Sequence, residues 1–486
     1  MNAAIYTDNK LLSRKAYYIV LSCIFISVTV LYGLSFSVTY NGNLQTRKDA
    51  SGFEHHYASK FFYFYYYTGY FPLATLDTDL IYSKEAAYNE INNNGKDLIM
   101  EYKHWSRLGE HARIFCYMPD AIVKGTAAAP SVRLFNAIFF LLGLLFLYRG
   151  FYNIRKPLMG LIICISVLAT PYFHYEVFRN ENIFALQASV FFIISGLLLP
   201  FLFSEAKLNL KTIVPLFSSS LIIAFCSEIR NEISIVFFCV MLILILSSHI
   251  SFKNKLILVP MIFIFFFGTK KVIKYHFDNK FLSAQKLVAS KGGHVYNGNR
   301  ISGHKIWHPV FCGLGDYDTK YGYMWSDSVA YDYAVPVLNS KYNLNLKYSG
   351  KLHTDNYYDS AQLYYIKFDE IPQYENVVKD KVISDIKNDP LWYFGIIMNR
   401  VLKICTTTLP FPMLGFITLF SLLFFVFKRK WTYAKLILIT LPLSATALVI
   451  YSGQGATYNS LFGYFMLAIL LYEILSGIAK KDAAIN

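Results

Sequence analysis

The chain has 486 residues, of which 55% are hydrophobic, 18% aromatic and 16% charged, with a formal net charge of +15. Soluble domains carry about a quarter charged residues, so this balance excludes an ordinary soluble globular protein. The basic residues sit in short clusters beside apolar runs, as membrane orientation requires, and no nucleic-acid partner is expected.

The first apolar run, residues 16–37, follows Lys10, Arg14 and Lys15. It is too long for a signal-peptide core and lacks a small-x-small cleavage site, so it reads as a retained anchor. Further runs fall at 134–148, 157–173, 183–203, 212–227, 233–248, 256–268, 413–427, 434–451 and 460–478. Several approach the ~20 residues needed to cross a ~30 Å hydrocarbon layer. The expected fold is therefore an all-α polytopic membrane protein with about ten transmembrane helices. With the N-terminus inside, each expected cytoplasmic segment is basic: Arg149/Arg155/Lys156, Lys207/Lys211, Lys253/Lys255, Lys428/Arg429/Lys430/Lys435 and Lys480/Lys481. This asymmetry predicts cytoplasmic N- and C-termini.

Two large non-cytoplasmic loops follow from that orientation. The expected division is 1–37 (N-terminus and first helix), 38–133 (first large periplasmic loop), 134–268 (six spans), 269–412 (second large loop with an interfacial helix) and 413–486 (three C-terminal spans and tail). In the first loop, the aromatic run 61–67 is too short to span and is expected at the membrane interface. Cys116 and Cys312 both fall in outer loops, where an oxidising compartment permits a disulfide. The seven cysteines otherwise show no CxxC spacing. The chain has no Asn-x-Ser/Thr sequon, which favours a bacterial envelope over a eukaryotic lumen.

Candidate chemistry concentrates at the outer turns. One carries His174, Glu176, Arg179, Asn180 and Glu181; another carries Glu228, Arg230, Asn231 and Glu232. Both hold an Arg-Asn-Glu triplet preceded by another Glu. An Arg oriented by a neighbouring Glu keeps donors free for a phosphate; the same pattern also suits two polar caps that pair with each other. In the first loop, Glu54, and after it Asp49, is the candidate general base for an acceptor hydroxyl. In the second loop, His304 and His308 stand at i and i+4, but Pro309 and the nearby glycines predict a turn, and no metal site is assigned. Asp316, Asp318 and Asp327 are candidate contacts to sugar hydroxyls. The segment Asn388-Asp389-Pro390-Leu391-Trp392-Tyr393 opens a helix bearing Arg400 and Lys403, which is expected in the headgroup layer with its cations toward phosphates.

The large loop after the first span, the charged outer turns, the late outer loop and the Asn388–Tyr393 entry to a basic helix together resemble the GT-C membrane glycosyltransferases. Envelope enzymes that modify O-antigen or lipid A, including the phage-type serotype-converting glucosyltransferases, are the nearest analogues in this resemblance. The resemblance covers the plan of the whole chain, while the paired acids that many members show at the start of the first loop are missing here. It implies transfer of a hexose from an undecaprenyl-phosphate-type, lipid-linked donor to an envelope glycan (O-antigen or lipopolysaccharide) at the periplasmic face of a bacterial inner membrane, with no cofactor. Glu54 or Asp49 would be the base, and Arg179, Arg230 or Arg400 would hold the carrier phosphate. Two alternatives stay open: an O-antigen polymerase or ligase, and a lipid or solute transporter. Membrane lipids are partners under every reading.

Overall fold

The computed structural model describes residues 14–39, 62–70, 83–96, 112, 114–124, 131–179, 183–203, 209–293, 295, 306–351, 353–358 and 365–485. Glu54, Asp49, Glu181 and His304 lie outside them. Six described helices are long and apolar enough to cross a membrane. They are α1 (Arg14–Thr39), α2 (Arg133–Asn153), α4 (Leu186–Phe203), α5 (Leu210–Ile229), α7 (Phe252–Ser290) and α14 (Phe462–Ile485). A seventh candidate is bent by 60°: α3 (Pro157–Ala169) leads into residues Pro171–Phe178. Pro171 forces the break, because the residue before a proline is pushed out of helical geometry, and Thr170 is extended at φ −85°, ψ 119°.

This is the architecture of an all-α membrane protein, and six or seven of the described helices, against the ten expected, have the length and hydropathy of a span. The difference has local causes. α6 (Val236–Leu246) and α12 (Leu414–Phe427) are apolar but short. The 434–451 run is broken into α13 (Trp431–Leu438), a 3-10 turn at Leu441–Ser444 and a π-helical turn at Thr446–Ile450. Hydropathy registers composition and is blind to such changes of hydrogen-bond register.

The bundle is organised around α4, which is apolar on all sides and almost wholly buried, as a central helix should be. It crosses α2 where Gly150 meets Gly196. A Cβ at Gly150 would lie 2.8 Å from the Gly196 Cα, and one at Gly196 would lie 2.1 Å from the Phe146 oxygen. Small residues permit this backbone approach between membrane helices.

α7 has 39 residues, about 58 Å at 1.5 Å per residue, roughly twice the hydrocarbon thickness. The segment expected to open the second loop at 269 is thus helical at its start, since the helix continues to Ser290. Its distal half supports parts of the first loop. Phe277 meets Phe115 at 6.2 Å between ring centroids, Lys280 Nζ donates to the Gly69 carbonyl at 3.5 Å, and Lys291 Nζ to Asn92 at 3.4 Å. Phe62, Tyr63 and Phe64, expected at the interface, are fully buried in the bundle core.

The second loop folds into a unit with its own apolar core. It comprises α8 (Trp307–Leu314), α9 (Asp327–Tyr342), the antiparallel pair β1 (His353–Tyr358) and β2 (Tyr365–Lys367), α10 (Tyr374–Asn388) and α11 (Pro390–Thr406). Phe311, Tyr331, Phe368, Tyr374, Val378 and Trp392 lie in this core. The expected turn at Pro309 is a helix, since Pro309 occupies the first turn of α8, where the missing N–H has no intrahelical partner in any case. Cys116 and Cys312 are buried thiols not joined in a disulfide, one in the bundle core and the other in the loop unit.

At the end of the bundle away from these loops, expected cytoplasmic cations meet. Lys156 Nζ donates to Tyr472 at 2.7 Å, Lys430 pairs with Glu473 at 3.6 Å, and Lys435 donates to Ser248 at 3.1 Å.

Candidate functional site

Three bundle segments reach the loop end in geometry other than regular α-helix. They are a π-helical turn at His174–Arg179, a 3-10 turn at Asn231–Ile235 and the π-helical turn at Thr446–Ile450. Such irregular turns are common where side chains must be re-aimed at functional sites. The first two are the charged turns singled out in the sequence, and the structure brings both into one cluster with the polar stretch that follows Ile450.

Arg230 is the centre of this cluster. Its Nε donates to Glu232 Oε2 at 2.8 Å and its Nη2 donates to the same oxygen, while the guanidinium stacks over Phe184 at 4.0 Å from the ring centroid. Arg230 and Glu232 side chains are 15% and 30% exposed. Nη1 makes no hydrogen bond among the described residues. Phe184 is itself tied down, because Asn459 Nδ2 donates to its carbonyl at 3.5 Å and to Gln187 Oε1 at 3.3 Å. Tyr172 lies in the field of both Glu176 and Arg230 and its ring meets Tyr458 at 4.9 Å. The Tyr172 hydroxyl is buried without a hydrogen-bond partner among the described residues. Glu176 is buried at 9% exposure. Glu228 lies at the rim, paired with Lys270 at 3.2 Å.

The loop unit closes the cluster from above. Asp316 Oδ2 accepts the Ser452 N–H at 2.8 Å and the Ser452 hydroxyl at 3.2 Å, and Tyr317 hydrogen-bonds Ser452 at 2.6 Å. Between these and Arg230 lies Tyr451, within the fields of Glu232, Arg230 and Asp316. The half-exposed Trp325 ring packs on Tyr451 at 5.1 Å. Carboxylates, an oriented guanidinium and an exposed aromatic face thus share one corner. That corner can hold an anion on Arg230, accept protons on Glu176, Glu232 or Asp316, and stack a flat or pyranose-like ring on Trp325.

Arg400 plays another part from the one expected. It is fully buried, and it donates through Nη1 to the Leu448 carbonyl at 2.9 Å and through Nη2 to Gly313 at 2.7 Å and Ile450 at 3.1 Å. α11 shows why. Leu391, Phe394, Met398 and Leu402 form its exposed apolar stripe, while Trp392, Ile396, Arg400 and Ile404 face inward. The helix is amphipathic as expected, with the apolar side outward and the cation inward. Arg400 positions Tyr451 and Asp316 rather than facing phosphate.

His308 and Asp327 stand within the loop unit, in a group separate from Arg230. His308 Nδ1 hydrogen-bonds Tyr374 at 2.7 Å, its Nε2 hydrogen-bonds Asp327 at 3.1 Å, and Cys312 Sγ lies 3.9 Å from Nε2. Burial pushes the Tyr374 phenol far above its usual range, so it stays protonated. His308, Cys312 and Asp327 are the described residues whose donor atoms converge enough to hold a metal. Asp318 accepts the Lys320 N–H at 2.7 Å and no other hydrogen bond among the described residues.

Sequence reasoning did not select Tyr172, Tyr451, Ser452, Tyr458 or Lys270. The available signal was the uncharged polar stretch 451–460 (Tyr-Ser-Gly-Gln-Gly-Ala-Thr-Tyr-Asn-Ser) between two apolar runs, which carries no acid or base to draw attention. Compared with protein-family models, curated proteins and solved structures, the chain matches none.

Proposed function

We propose that the protein is a membrane glycosyltransferase that moves a hexose from a polyprenyl-phosphate carrier to an envelope glycan at the periplasmic face of a bacterial inner membrane. The observation that carries this reading is Arg230, clamped by Glu232 with Nη1 uncommitted, beside the unpaired Tyr172 hydroxyl at the loop end of the bundle. A guanidinium so oriented suits a phosphate, and its place at a helix end lets an isoprenoid tail remain in lipid.

In this account the donor phosphate meets Arg230, and the acceptor hydroxyl loses its proton to a carboxylate as its oxygen attacks the anomeric carbon. The bond from that carbon to the phosphate oxygen breaks, and Arg230 offsets the charge that develops there. Glu54, or Asp49, is the proposed base; Glu176 and Asp316 border the acceptor, and Trp325 stacks on a sugar. No cofactor is required by this chemistry.

The test is complementation of a host lacking the gene, with surface glycans read by mass spectrometry and membrane protein level measured in parallel. Wild type is expected to restore a hexose-sized mass increment, and Glu54→Gln to abolish it at equal abundance. If wild type leaves every glycan mass unchanged, the transferase reading is overturned. Normal transfer by Glu54→Gln would remove Glu54 from the mechanism and move the base to Asp49.

A further inference from the structure

The loop unit contains a second constellation that the transfer chemistry does not use. His308 and Cys312 stand at i and i+4 on α8, so both side chains point from one helix face, and Asp327 approaches them from the first turn of α9. One donor atom from each residue lies within 4.8 Å of the other two. His308 and Cys312 are buried at 2% and 4% exposure, whereas the Asp327 side chain is 45% exposed, so the group opens to solvent on one side.

We propose that His308 Nε2, Cys312 Sγ and an Asp327 carboxylate oxygen bind a divalent cation of borderline softness, zinc by donor chemistry, with water as the fourth ligand. Imidazole, thiolate and carboxylate together favour zinc over magnesium or calcium, which take oxygen donors. Tetrahedral zinc with bonds of about 2.0–2.3 Å separates its donor atoms by about 3.3–3.7 Å. The His308–Asp327 and His308–Cys312 separations, 3.1 and 3.9 Å, bracket that range. Those two pairs need shifts of only a few tenths of an ångström, and the Cys312 and Asp327 donors lie within 4.8 Å of each other.

The surrounding residues also serve a metal. Histidine ligands commonly fix their second nitrogen through a hydrogen bond, and Tyr374 holds His308 Nδ1 at 2.7 Å. On binding, the Cys312 thiol releases its proton to solvent. The His308 proton then resides on Nδ1 and is donated to the Tyr374 oxygen, leaving Nε2 for the cation. The metal takes the place of the His308–Asp327 hydrogen bond and ties α8 to the start of α9. α8 is also the helix whose Gly313 carbonyl accepts from Arg400, so the clamp holds the lid of the Arg230 corner.

The experiment uses the full-length protein purified in detergent, loaded with zinc alone and dialysed, with metal content read by mass spectrometry. About one zinc per chain is expected for wild type, with at least a tenfold loss in Cys312→Ser and in Asp327→Asn. Asp327 is half-exposed, so its substitution should leave the elution profile unchanged and separates lost binding from lost folding. Cobalt in place of zinc is expected to give a thiolate-to-metal absorption band in wild type that Cys312→Ser lacks. Wild type without bound zinc after loading, or zinc retained in full by both variants, overturns the proposal.

Discussion

Arg400 shows how much a single side chain contributes to the site's geometry. A buried cation whose two terminal nitrogens meet three carbonyls is costly to remove, because the carbonyls then lose their partners in a dry interior. Hydrogen bonds involving a charged group contribute about 1.5–3 kcal/mol each, so Arg400→Met is expected to destabilise the docked loop unit by about 3 kcal/mol or more. Gly313 belongs to the same joint: a Cβ there would lie 1.9 Å from the Ile450 oxygen, a distance at which the backbones must separate. Gly313→Ala should therefore lower the unfolding temperature comparably, and Arg400→Met combined with Gly313→Ala should add little to either. Thermal unfolding in detergent checks this; full additivity would show that the two residues do not share one joint. Arg400's partners could not be foreseen from its neighbours in the chain. A cation on an amphipathic helix reads as solvent- or headgroup-facing, and only tertiary contact with the Leu448, Ile450 and Gly313 carbonyls reverses that. Arg230 was legible, since its Glu232 partner is two positions on and the pairing needs one intervening residue rather than a fold.

At the scale of elements, the entry to α11 was legible because it depends on neighbouring residues. Asp389 caps α11 as the Asp-Pro pair foretells, accepting the Trp392 N–H at 3.0 Å with Pro390 at the first helical position. Its other oxygen accepts from Lys320 at 2.6 Å and from Tyr321 at 3.1 Å. The Lys320 hydrogen bond holds the Asp389 carboxyl below its usual range and raises Lys320 above its own. A carboxyl depressed on folding stabilises the fold above its unfolded pKa, near 4, and that contribution is lost as pH falls through the lower folded value. Acidification below about pH 4 should thus loosen the Lys320–Asp389 joint between α10, α11 and the 317–321 segment. Lys320→Met should shift the acid transition of tryptophan fluorescence toward higher pH; an unchanged transition would remove this pair from the acid response. By contrast, the extension of α7 past 268 and the broken 434–451 run were not legible from hydropathy. In the first case the lysines end the apolar signal while the helix continues, and in the second the signal continues while the helix breaks.

For the whole molecule, the alternation of apolar runs and basic clusters located two distinct ends. The structure gathers Lys156, Lys430 and Lys435 at one and the two charged turns at the other. What composition leaves open is how the loops sit on that second end. Here α8 and α11 clamp the Thr446–Ile450 turn, and the turn delivers Tyr451 toward Arg230 and Glu232. The proposed function has this corner hold a lipid-linked sugar phosphate during transfer. Its most direct test is release of polyprenyl phosphate from a polyprenyl-phosphate hexose by purified protein in nanodiscs supplied with acceptor glycan, comparing wild type with Arg230→Ala. Loss of one oriented charge-stabilising group typically costs about 100- to 1,000-fold in rate, and a fall of that size at an unchanged elution profile is expected. Equal release by the two proteins, or no release by wild type with any hexose donor, would contradict the account.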